Sequence, residues 1–144
     1  AYLHRTFDDI KSLPTEGVNF RLCKGIYNEP HDIAIQDRKD INKNYLKILK
    51  YAFKKNHYVG IATHDVELIK DIYTLINDNN IPSSQFEFQV LYGVPMKGWL
   101  EKHKENNFKV RVYVPFGEDW YDYSIRRLKE NPNIAAYVLK NLFR

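Results

Sequence analysis

Four short runs of apolar and aromatic residues punctuate the chain, and each stops at turn chemistry. They are Val18–Lys24 closed by Gly25, Tyr58–Thr63, Phe86–Leu91 followed by Gly93, and Val110–Val114 closed by Pro115. Short length, aromatic and β-branched content and breakers at the exits predict strands. Helical patterns lie between them. Tyr45, Leu46, Leu49 and Ala52 or Phe53 recur at helical spacing, as do Val66, Ile69, Ile72, Tyr73 and Ile76. A weaker helix is predicted over about Lys97–Lys104, and another over Arg5–Leu13, ended by Pro14 and Gly17. Two more cover about Trp120–Glu130 and Ile134–Phe143, with Asn131-Pro132 as the break.

Strands alternating with helices imply a parallel sheet built through right-handed crossovers. Two α/β architectures compete. One is an open, doubly wound sheet; the other is half of a (β/α)8 barrel, whose full form needs roughly 200–250 residues and eight units. No G-x-G-x-x-G follows any strand, which counts against a dinucleotide fold of the open type. No low-complexity linker divides the chain, so residues 1–144 read as one domain. In both architectures ligands bind at the carboxyl ends of the strands.

Composition narrows the function classes. Hydrophobic residues make up 44% and charged residues 28%, which suits a packed soluble core. The net charge is +4, but lysines and acids interleave along the helices, as on solvated faces. No DNA- or RNA-binding motif accompanies it, so no nucleic-acid partner is expected. No run of about 18 apolar residues exists to span a membrane, and no signal peptide is visible. The single cysteine, Cys23, sits in an apolar run and reads as a buried small residue in a reducing compartment. The chain opens at Ala1-Tyr2-Leu3 without an initiator Met, which reads as a piece of a longer protein.

The strongest chemical signal is Tyr123-x-x-Arg126-Arg127 in the helix after the fourth strand. Positions i, i+3 and i+4 share a helix face, so a phenol would stand beside two fixed cations. Two guanidinium forks form a clamp for a carboxylate or phosphate. The strand ends supply Arg21, Lys24, Gly25 and Tyr27, then Thr63, His64 and Asp65, then Gln89, Leu91 and Tyr92, then Tyr113. Such a mouth suits a large anionic, aromatic cofactor with a small anionic substrate. Each residue also has a plainer reading. Lys24 is then a solvated strand-end lysine, His64 a helix N-terminal residue, Tyr113 ordinary core, and Arg126-Arg127 surface charge beside Glu130 or Asp122. Five scattered histidines and one cysteine show no metal-ligand spacing, so no metal is expected.

Five strings carry a resemblance. Arg21-Leu22-Cys23-Lys24-Gly25-Ile26-Tyr27, Ile61-Ala62-Thr63-His64-Asp65, Phe86-Glu87-Phe88-Gln89-Val90-Leu91-Tyr92-Gly93, Arg111-Val112-Tyr113-Val114-Pro115-Phe116-Gly117 and Tyr123-Ser124-Ile125-Arg126-Arg127-Leu128 resemble the FAD-dependent proline dehydrogenase family, in the family's order. The likeness is to the compact, monofunctional bacterial type. It implies that this chain is the C-terminal half of a TIM-like (β/α)8 barrel, with strands resembling the fifth to eighth and the N-terminal half absent. The implied reaction is oxidation of L-proline to 1-pyrroline-5-carboxylate with hydride transfer to FAD, the first step of proline catabolism. A membrane quinone is the implied electron acceptor, and a pyrroline-5-carboxylate dehydrogenase the implied downstream partner. The implied location is cytoplasmic, with a peripheral position at the inner face of the membrane open.

Site roles follow from the same resemblance. Arg126 and Arg127 correspond to the pair gripping the proline carboxylate, with Arg127 also near the flavin. Tyr27, Leu91, Tyr113 and Tyr123 correspond to the cage around the proline ring. Arg21 corresponds to the donor near flavin N5, so Arg21, Tyr113, Arg126 and Arg127 are the residues closest to the chemistry. Lys24, Gly25, Arg38, Thr63, His64, Gln89 and Glu130 correspond to further cofactor contacts, Arg38 toward the pyrophosphate. Two other functions compete: a (β/α) lyase using Lys24 as a Schiff base, and a non-catalytic domain binding a carboxylate or phosphate. A half barrel also leaves unpaired sheet edges, so the isolated chain is expected to associate and to retain FAD weakly or not at all.

Overall fold

The computed structural model describes residues 1–14, 17–25, 27, 29–94, 96–114, 116–118 and 125. Strands β1 (Asn19–Cys23), β2 (Tyr58–Ala62), β3 (Phe86–Leu91) and β4 (Val110–Tyr113) alternate with helices α1 (Thr6–Lys11), α2 (Arg38–Lys54), α3 (Val66–Asp78) and α4 (Trp99–Glu105). A single 3-10 turn, Ser83–Gln85, leads into β3. The strands lie within one residue of the runs read from the sequence. Helix α2 starts well before the apolar spacing begins, because Asp37 caps it, accepting from the Lys39 and Asp40 amides.

Local chemistry explains where the helices stop. Asn56, Asn80 and Asn107 each adopt a left-handed backbone just past α2, α3 and α4. The next amide then reaches back to a carbonyl inside the helix: His57 to Ala52, Ile81 to Ile76, Phe108 to His103. This is the same closure three times over, and asparagine tolerates it better than other non-glycine residues. It turns the chain sharply from each helix into the segment leading to the next strand.

All strand pairs are parallel, in the order β1-β2-β3-β4. A strictly sequential order means every crossover steps the same way. With right-handed connections, all the helices then fall on one face of the sheet. A doubly wound sheet reverses its order and covers both faces. The four-stranded unit is therefore built like an arc of a (β/α) barrel, and the open-sheet alternative does not describe it.

Burial agrees with this arc. Leu22, Val59, Ile61, Phe86, Phe88 and Val90 form one core with Tyr45, Ile48, Leu49 and Ala52 of α2 and with Leu68, Ile69, Ile72 and Ile76 of α3. Tyr45 is buried there, and its hydroxyl donates to the Leu22 carbonyl at 2.8 Å. His103 is fully buried between Tyr73, whose hydroxyl lies 2.7 Å from its Nδ1, and the stacked ring of Phe88 at 3.9 Å. Alternating strand positions point the other way. Cys23 is one of them. It is exposed, contrary to the buried position its apolar run suggested, because it shares the face of Arg21 while Leu22 turns toward the helices.

Candidate functional site

The face without helices is polar. Register aligns Asn19 with Tyr58, Arg21 with Gly60 and Glu87, Cys23 with Ala62, Gln89 and Arg111, and Leu91 with Tyr113. Side chains from neighbouring parallel strands thus form layers, as in the lumen of a barrel. Arg21, Gln89, Leu91 and Tyr113, all anticipated as site residues, share this face. Leu91 and Tyr113 occupy the layer nearest the carboxyl ends, while Gln89 and Arg21 lie one and two layers deeper. Tyr113 is exposed here rather than ordinary core.

Beneath that upper layer is a network the sequence reading did not single out. Glu87 is buried within it. Its carboxylate accepts from Arg111 Nε and from Gln89 Nε2 at 2.8 Å on one oxygen, and from Arg111 Nη2 and the Tyr58 hydroxyl, both at 3.1 Å, on the other. The Arg111 guanidinium holds the Glu87 carboxyl below the usual range, against the opposing effect of burial. The Gln89 amide lies across Gly60, where a Cβ would meet Nε2 at 2.4 Å. The signal available in the sequence was alternation: in Phe86-Glu87-Phe88-Gln89, both polar residues fall on the face opposite the core.

A second cluster gathers at the carboxyl ends of β1 and β2. Asp65 caps α3 with Oδ1, which accepts from the Glu67 and Leu68 amides. Its Oδ2 receives Lys24 Nζ at 2.6 Å and Arg38 Nη2 at 3.1 Å. Burial pushes this carboxyl upward, but the hydrogen bonds and charge of Lys24, followed by Arg38 and the Leu68 amide, outweigh it and hold it well below the usual range. Two of the anticipated cofactor cations therefore converge on one carboxylate. Two cations against one anion leave a surplus positive charge at the strand ends, beside the N-terminus of α3. Both suit a diphosphate.

Thr63 and His64 complete this edge. Thr63 is buried, and its hydroxyl accepts from the Asp65 amide at 3.1 Å. His64 Nε2 accepts from the Leu91 amide at 3.0 Å, tying the end of β3 to the loop after β2. An accepting Nε2 requires the neutral ring. Burial, and then the charge of Arg21, favour that state by lowering the pKa. Gly25 has a positive φ of 105° and lies against the Tyr2 ring; any Cβ there would collide with it. What approaches this backbone closely is thus Tyr2. Together with Tyr27, Glu29, Ala34, Ile35, Gln36 and Ile41 they line a cleft of about 230 Å³. Tyr27 itself is exposed. Tyr123, Arg126, Arg127 and Glu130 lie outside the described residues, and with them the proposed carboxylate clamp.

Lys24 bears on the Schiff-base alternative. A lysine that attacks a carbonyl must offer a neutral amine. Here the nitrogen lies 2.6 Å from the Asp65 carboxylate and is committed to an ion pair with it, so it is not presented to a carbonyl substrate. Among the described residues no helix is long and apolar enough to cross a membrane.

Comparison with known proteins places this geometry. The sequence profile of the proline dehydrogenase family matches residues 1–139. Proline dehydrogenase 1 of Bacillus subtilis subsp. natto is 40% identical over 144 residues, which is 100% of this chain and 47% of that protein. Proline dehydrogenase 2 of Bacillus subtilis strain 168 is 40% identical over 142 residues, 99% of this chain and 46% of that protein. Proline dehydrogenase of Deinococcus radiodurans is 35% identical across the whole chain and 46% of its own length. The chain thus spans just under half the length of these relatives. Among solved structures, proline utilization A from Bdellovibrio bacteriovorus, inactivated by N-propargylglycine, superposes with a TM-score of 0.77 at 27% identity. The match covers 90% of this chain and 16% of that one. With its profile match running almost end to end and its sheet superposing on that protein, this chain belongs to the proline dehydrogenase family.

Proposed function

We propose that the protein carrying this chain oxidises L-proline to 1-pyrroline-5-carboxylate with FAD as cofactor, and that this chain supplies the C-terminal arc of its barrel. The observation that carries the reading is the family match over residues 1–139. A bound flavin supplies the hydride acceptor; this chain's residues bind, orient and shield. Arg126 and Arg127 hold the substrate carboxylate by charge-assisted hydrogen bonds. Leu91, Tyr113, Tyr123 and Tyr27 confine the ring to one pose, which matters when a hydride travels only a short distance. Arg21, Gln89, Lys24, Gly25, Arg38, Thr63, His64 and Glu130 are the residues we assign to the cofactor. Two features support its fit. Gln89 Oε1 is a buried acceptor with no partner among the described residues, and the Lys24–Asp65–Arg38 cluster carries surplus positive charge at the strand ends. A membrane quinone is the proposed electron acceptor, with the protein cytoplasmic or peripheral to the inner face of the membrane. A pyrroline-5-carboxylate dehydrogenase would consume the product.

The test is direct. The full-length protein is purified, its flavin content is read by absorbance, and dye reduction is followed with L-proline. Bound flavin with proline-dependent reduction supports the assignment. A colourless protein, or flavin that proline does not reduce, overturns it.

A further inference from the structure

Glu87 is the only carboxylate that the four strands place on their polar face. It lies in the same layer as Arg21 and Gly60, one layer below Gln89 and Arg111. The ionised group can only accept hydrogen bonds, and it takes them from Arg111, Gln89 and Tyr58. This has a consequence for Gln89. An amide next to a carboxylate must present its NH2, so its carbonyl oxygen is turned away. That oxygen, Gln89 Oε1, is buried and has no partner among the described residues. A buried acceptor left unpaired destabilises a fold. The amide nevertheless keeps its place, because Gly60 leaves room for it to lie flat on β2 and Glu87 holds its nitrogen.

We propose that Glu87, held ionised by Arg111, is a positioning residue. It sets the orientation of the Gln89 amide so that Oε1 accepts a hydrogen bond from an N–H or O–H donor of the bound flavin. The inference rests on the flavin reading above. Without Glu87 the amide is free to turn over, presenting NH2 where an acceptor is needed. Arg111 acts in the same direction: by pairing with Glu87 it keeps the carboxylate charged and able only to accept.

The experiment is a double-mutant cycle on flavin affinity in the full-length apoprotein, with wild type, Glu87→Gln, Gln89→Met and the double variant titrated with FAD. Each single variant should weaken FAD binding about five- to tenfold, the worth of one hydrogen bond. The double variant should be no weaker than the worse single one, because Glu87 acts through Gln89. Both single variants should shift the flavin absorption spectrum alike. As apoprotein, Gln89→Met should melt near the wild-type temperature, since the hydrogen bond it loses to Glu87 is offset by removal of an unpaired buried acceptor; a merely structural role would lower it. Unchanged FAD affinity in Gln89→Met overturns the proposal, as does a Glu87→Gln effect that persists undiminished in the Gln89→Met background. Should Glu87→Gln fail to fold, Gln89→Met and Glu87→Asp carry the same decision. A wild-type protein that takes up no flavin refutes the flavin reading itself, and the first titration shows that separately.

Discussion

Replacing Asp65 with asparagine separates two jobs that this carboxylate does at once. Asparagine caps a helix about as well as aspartate, so the bonds from the Glu67 and Leu68 amides survive the change. The ion pairs do not. The Arg38 side chain is 76% exposed, so its contact contributes little. The Lys24 side chain is only 19% exposed and its partner 8%, with 2.6 Å between them. A hydrogen bond between charged groups in such a setting is worth about 2 kcal/mol. Asp65→Asn should therefore cost about 2 kcal/mol, and Asp65→Ala about 3, the extra ~1 kcal/mol being the cap. Urea unfolding of the full-length protein, followed by circular dichroism, reads both. The sign of the acid dependence follows too. The folded-state pKa lies below the ordinary 3.8, so the stabilisation is complete above that value and is lost only as pH falls below it. An Asp65→Asn variant within 0.5 kcal/mol of wild type, roughly the effect of an ordinary surface change, would show that the buried ion pair contributes nothing net. Indistinguishable Asp65→Ala and Asp65→Asn variants would refute the separate capping role.

Three further outcomes are expected. Burial, and then the nearby Lys102, lower the His103 pKa from 6.5 to about 4, so the fold should lose up to about 3 kcal/mol as pH falls from 6.5 toward 4; a His103→Phe variant with the same pH dependence as wild type would refute this. Gly60→Ala places a Cβ 2.4 Å from Gln89 Nε2, forcing that flexible amide off Glu87 at a cost of about 1 kcal/mol; an equal cost in a Gln89→Ala background would show that the clash is not with Gln89. If Arg126 holds the substrate carboxylate as proposed, Arg126→Met in the full-length protein should raise the KM for proline ten- to a hundredfold and leave the flavin spectrum unchanged, the loss of about 1.5–3 kcal/mol of charge-assisted contact. A change below twofold would remove Arg126 from the carboxylate site.

Local sequence carried a large share of this protein. The strands were legible because apolar blocks end at Gly25, Gly93 and Pro115. The helices were legible because Tyr45, Leu46 and Leu49, and Val66, Ile69, Ile72, Tyr73 and Ile76, keep helical spacing; the caps at Asp37 and Asp65 and the closing asparagines, seen in the structure, are equally local. Those are interactions among residues a few positions apart, so they are written into short strings. Alternation likewise put Glu87 and Gln89 on one face of β3 without any knowledge of its neighbours.

What only the tertiary structure decided is which strand lies beside which, and at what register. The order β1-β2-β3-β4 distinguishes an arc of a barrel from a doubly wound sheet, and no local string encodes it. Register alone sets Arg21 level with Glu87 and brings Arg111 onto a carboxylate 24 residues away. The same holds at the strand ends, where Lys24 and Arg38 meet Asp65 across 41 and 27 positions. Cys23 shows the limit most simply. It follows the buried Leu22 directly, but a strand turns alternate side chains to opposite faces, and only the packing of α2 and α3 determined which face was buried.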